Sequence, residues 1–180
     1  MNATATTCGA PIRDRSKIQA DVAIILGVIT GVMVLIRILF KAFITQMGLA
    51  MDDWFILATV VGGIPNTYLG IHGTVANGLG KDVWTLPYAE ITAFGKYFYI
   101  VEVLYFMEIT LLKMSLLFFY LRIFPATKIR NILWATIIFN AVYGAAFIFT
   151  GIFQCQPISF YWTKWDGEHE GKCISINALG

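Results

Sequence analysis

Between Val22 and Phe43 the chain runs through one apolar stretch whose only charges are Arg37 and Lys41, both near its far end. About twenty helical residues at roughly 1.5 Å each match the hydrocarbon core of a bilayer, about 30 Å thick. The stretch is not amphipathic, so a helix made from it has no polar stripe to turn toward water. Lipid offers no partner to exposed backbone N–H and C=O groups, so a segment of this length and apolarity crosses as a helix. Arg37 and Lys41 sit where long side chains snorkel to the headgroups. The charge content agrees: 13% of residues are charged and 58% apolar, with a mean hydropathy of +0.71. A soluble domain carries about 25% charged residues to cover its surface.

Three further stretches repeat the pattern. The expected fold class is all-α: a polytopic transmembrane helical bundle of about four helices. These fall near 22–43, 54–77, 97–124 and 131–153, after an N-terminal tail over 1–20 that has no apolar signal-peptide core. The second stretch holds Pro65, Asn66, Tyr68, His72 and several glycines. It reads as a helix kinked at Pro65 and turned toward its neighbours rather than lipid. Trp84, Tyr88, Tyr97 and Tyr99 read as interfacial anchors. In the fourth, Asn140, Tyr143 and Gly144 suit a close helix interface. A polar loop over 154–173 follows, and 174–180 reads as the opening of a fifth helix.

The third stretch carries Glu102, Glu108 and Lys113. Lys113 lies about 24 Å along its axis and cannot rest in lipid. Glu108 is about 140° away around the helix, and Glu102 is about 16 Å away along it. A partner for Lys113 therefore comes from another helix, with Asn66 or Tyr68 as candidates; the plainer reading is a structural polar contact or snorkelling toward an interface. Asp52 and Asp53 precede the second stretch, either complementing its dipole or binding a cation or partner loop. Arg122, with Lys128 and Arg130, marks an interface or a basic switch.

Cys155 and Cys173 bracket the polar loop. They form a disulfide if that loop faces an oxidising compartment; otherwise they are two thiols at a membrane surface. Asn2 heads a glycosylation triplet, Asn2-Ala3-Thr4. With the N-terminus outside, Arg37, Lys41, Arg122, Lys128 and Arg130 lie inside and seven basic residues outside, which by count alone favours the opposite orientation. The cysteine loop and the Asn2 triplet argue for the N-terminus outside.

No phosphate-binding glycine loop, zinc-spaced Cys/His set or nucleophile elbow occurs. No catalytic residue, metal or cofactor is expected. A net charge of +2 gives no nucleic-acid footprint.

The block Leu112–Phe124, centred on Lys113-Met114-Ser115 and ending in Tyr120-Leu121-Arg122, resembles the fungal rhodopsin-like domain family. Asp52-Asp53-Trp54, Gly78-Leu79-Gly80-Lys81-Asp82, Phe153-Gln154-Cys155-Gln156-Pro157 and Gly171-Lys172-Cys173-Ile174 match in order, with Asp82 where the family commonly has His. The resemblance covers Val22 to Gly180. It implies a seven-helix integral membrane protein, of which this chain is the N-terminal four-helix part. It does not imply retinal. Some members are receptor-like.

The function expected is therefore a receptor-like or sensory membrane protein, multi-pass in the plasma membrane. Its partners would be the lipid bilayer, a small ligand and a cytoplasmic signalling partner. The alternative is a small transporter or channel subunit using Lys113, Glu108 and Glu102.

Overall fold

A computed structural model of the protein describes residues 14–45 and 50–174. Asn2, Cys8, the Trp84 side chain and residues 175–180 lie outside that description. Among the described residues the fold is all-α apart from one short hairpin and an isolated β-bridge between Asp14 and Lys81. Helix α1 spans Ser16–Leu39 and ends in a π turn, Phe40–Thr45. Helix α2 spans Met51–Leu69 and ends in a second π turn, Gly70–Val75. Helix α3 spans Tyr88–Ile123, α4 spans Thr127–Ile152, and α5 is a single turn, Phe160–Thr163. Strands β1 (Cys155–Gln156) and β2 (Lys172–Cys173) pair antiparallel, with Cys155 opposite Cys173.

Local chemistry sets these boundaries. The Asp14 carboxylate accepts hydrogen bonds from the Ser16 backbone N–H and hydroxyl, satisfying a first-turn donor of α1. The Asp53 carboxylate reaches back to the Ala50 N–H, 3.1 Å away, and so caps α2. Pro87 opens α3, taking the Glu90 and Ile91 N–H groups on its carbonyl. Pro125 disfavours helical geometry at the residue before it, so α3 stops at Ile123. The expected start of this helix, near 97, was too late: Tyr88–Lys96 mixes polar and apolar residues but contains no breaker beyond Gly95. Pro65 stands inside α2 with its own ring on an exposed side. It is Gly62 and Asn66 on that helix that turn toward α3.

Burial is reversed relative to a water-soluble protein. Among the described residues the buried apolar side chains are Ile137 and Cys155, whereas Asp52, Asp53, Thr74, Ser115 and Asn140 are buried polar ones. Leu26, Val28, Met33, Val61, Ile138 and Phe149 are exposed. Apolar outside and polar inside is the arrangement lipid selects. By length and composition α1, α2 with its π turn, and α4 can each cross a membrane. Helix α3, the fourth expected span, is the longest, and Glu90, Lys96, Glu102, Glu108, Lys113 and Arg122 set it apart by charge.

The described residues group into two compact units. One takes in residues up to Ile25, Thr67–Glu102 and those from Ile152 onward. In it the Arg15 N–H donates to the Gly80 carbonyl at 2.9 Å. Gly80 has φ +87°, and a Cβ there would lie 3.0 Å from the Ser16 nitrogen, so the position needs glycine twice over. Tyr97 packs under Gly73, and the Tyr99 hydroxyl donates to the Ile152 carbonyl at 2.8 Å. Both rings, expected as interfacial anchors, are therefore packing groups.

The other unit takes in Leu26–Asn66 and Val103–Gly151. Phe55 stacks on Phe118 at 5.1 Å between ring centres, and Trp134 meets Phe118 edge-on. Gly144 of α4 lets Thr110 of α3 approach its backbone directly, and Asn140 Nδ2 donates to the Thr110 carbonyl at 3.3 Å. Small residues and interhelical hydrogen bonds hold helices together where lipid removes the hydrophobic drive.

Candidate functional site

The strongest electrostatic feature joins the end of α1 to the start of α2. Lys41 Nζ lies 2.7 and 2.8 Å from the two Asp53 oxygens and 3.0 Å from Asp52 Oδ2. Arg37 donates to Asp52 Oδ2 at 2.9 Å, and its Nε is 3.7 Å from Asp53. The carboxylates are 2% and 0% exposed, the cations 34% and 17%. Ser115 of α3 donates to the Asp52 backbone carbonyl at 2.8 Å. Arg37 and Lys41 thus do more than snorkel, and Asp52 and Asp53 do more than complement a dipole. Two cations four residues apart share a helix face, and the paired acids at the start of the next helix meet that face. That spacing was the available sequence signal.

A cleft of about 600 Å³ opens beside this cluster. Its walls are Met33, Ile36 and Phe40 from α1 and its π turn, and Phe119 and Ile123 from α3; Arg37, Lys41 and Arg122 also line it. Arg37 lies over the Phe119 ring, 5.3 Å from its centre. Arg122 also lines a smaller hollow of about 220 Å³ that includes Asp52 and Arg130.

The three intramembrane candidates do not come together. Lys113 is exposed and lines a separate cleft of about 160 Å³ with Thr110, Asn140 and Tyr143. No hydrogen bond or ion pair to it occurs among the described residues, and neither Asn66 nor Tyr68 serves it. Asn66 instead lies beside Glu108, and Tyr68 packs on His72. The oxygens Asn66 Oδ1 and Glu108 Oε1 are buried without a partner. Glu102 belongs to the other unit, where the Tyr161 hydroxyl donates to it at 3.0 Å and Gln154 Nε2 at 3.3 Å. It anchors the loop that the Cys155–Cys173 disulfide closes. Burial, then the neighbouring Glu102 charge, pushes the Tyr161 hydroxyl's pKa well above the ordinary tyrosine range. In the same loop, burial opposes ionisation of Asp166, but the Glu168 N–H and the His169 ring outweigh it and hold the carboxyl below its usual range.

Exposed apolar faces around buried ion pairs define an integral membrane protein of the multi-helix class. The family model described as the fungal rhodopsin domain matches residues 36–180, and the chain belongs to that family. No curated protein and no solved structure gives a significant match.

Proposed function

We propose that the protein is a receptor-like sensor without catalytic activity, which takes a ligand between α1 and α3 and passes its presence to a cytoplasmic partner. One observation carries this reading: the large cleft shares Arg37 and Lys41 with the buried ion-pair cluster. A ligand there competes with Asp52 and Asp53 for their partners, which is the differential contact that shifts a conformational equilibrium. We place the protein in the plasma membrane with the N-terminus and disulfide loop outside, in keeping with a bond that persists in oxidising surroundings. Glycosylation at Asn2 follows from that placement.

The transporter reading draws only on the unpartnered Glu108 and Asn66 oxygens. Against it, Glu102 is committed to Tyr161 and Gln154. Purified protein in liposomes separates the two. Absence of ion or solute flux is expected; flux that Lys113→Met abolishes overturns the receptor reading.

A further inference from the structure

We infer that the cleft between α1 and α3 is a binding site for one anionic phospholipid. The inference rests on the reading of that cleft as the ligand site and names the class of ligand. Three observations lead to it.

The first is depth. Arg37 lies twenty-one residues after Ser16 in one helix, about 32 Å along its axis. A span that starts at one membrane face therefore brings Arg37 to headgroup level at the other.

The second is charge. The segments 37–53 and 119–130 hold Arg37, Lys41, Arg122, Lys128 and Arg130 but only two acids, Asp52 and Asp53. Of these cations, Arg37, Lys41, Arg122 and Arg130 line the two adjoining hollows. Four cations against two carboxylates leave two positive charges in excess, whatever the local pairing. A phosphodiester supplies the complement, and guanidinium groups bind it in bidentate fashion.

The third is the walls. Met33 is 65%, Ile36 55% and Phe40 55% exposed, directly beside the cations. An acyl chain lies against such side chains at no desolvation cost, whereas a soluble anion meets only half a site. Basic pockets between transmembrane helices near the headgroups are where anionic lipids are held.

The test is native mass spectrometry of the full chain, released from detergent micelles holding equimolar phosphatidylglycerol and phosphatidylcholine. Each excess cation contributes about fivefold, so retention of phosphatidylglycerol over phosphatidylcholine by roughly thirtyfold is expected. Arg122→Gln removes one charge from the cleft and lowers the preference about fivefold, with circular dichroism of the same sample reporting that the helices are retained. Ile36→Trp fills the cleft and removes retained lipid of both kinds, while Lys128→Gln, outside the cleft, keeps the wild-type preference. Equal retention of the two lipids, a preference unaltered in Arg122→Gln, or a lipid-free dimer seated through α1 each overturns the inference. A chain that shows flux yet keeps the lipid preference overturns the receptor reading alone. One that lacks both flux and preference overturns this inference alone.

Discussion

Removing Lys41 from the buried cluster tests the energetics most directly. In Lys41→Met the Asp53 carboxylate, fully buried, loses contacts of 2.7 and 2.8 Å and keeps the Ala50 N–H at 3.1 Å and Arg37 at 3.7 Å. Leaving one partner of a buried pair alone costs about 3–5 kcal/mol. The two retained contacts place this site at the lower end, about 3 kcal/mol, which is a fall in Tm of roughly 6–12 °C for a chain of this size. Asp53→Asn is milder, about 1 kcal/mol, because the amide oxygen still accepts from Ala50 and the long Lys41 side chain reaches the headgroups. The double variant Lys41→Met/Asp53→Asn removes the stranded charge and recovers about 2 kcal/mol relative to Lys41→Met. Thermal unfolding in detergent micelles, followed by circular dichroism, measures all three. If Lys41→Met costs less than about 0.5 kcal/mol, or no more than Asp53→Asn, the carboxylate does not depend on the ammonium and the reasoning fails.

Further outcomes follow from other contacts. Gly144→Ala drives a methyl group into Thr110 and costs about 1–3 kcal/mol, whereas Gly27→Ala, with open space around it, changes melting little. Tyr161→Phe removes a donor to Glu102 and speeds hydrogen exchange in the 154–173 loop without altering exchange at α4. Because burial and Glu102 raise the Tyr161 pKa in the folded chain, its contribution is full below about pH 10 and is lost as pH climbs through the raised value. Tyrosinate absorbance then appears late in the wild type, and Tyr161→Phe lacks that late component.

Much of the fold was legible because lipid makes severe demands. The runs at Val22–Phe43 and Ile132–Phe153 have no stable alternative to a spanning helix. The cysteine loop was legible from its two thiols and polar content, and its disulfide and hairpin follow. What escaped is tertiary. The spacing of Arg37 and Lys41 and the paired acids Asp52 and Asp53 was visible, but not that the two helices would bring the four charges together. Glu102 read as an intramembrane charge because its donors, Tyr161 and Gln154, lie more than fifty residues away in sequence. Lys113 was expected to face protein, and it lines a cleft with Asn140 and Tyr143 of α4, but neither proposed partner, Asn66 or Tyr68, reaches it.

Ser115 adds a mechanical consequence. It is buried on α3 and holds the backbone of Asp52, while Lys113, two residues earlier, points about 160° away around the same helix. On the side of Lys113, Thr110 meets Gly144 and Asn140 of α4, so α3 is held from both sides. The acid pair is thereby fixed to a helix that is itself clamped, through a single hydroxyl.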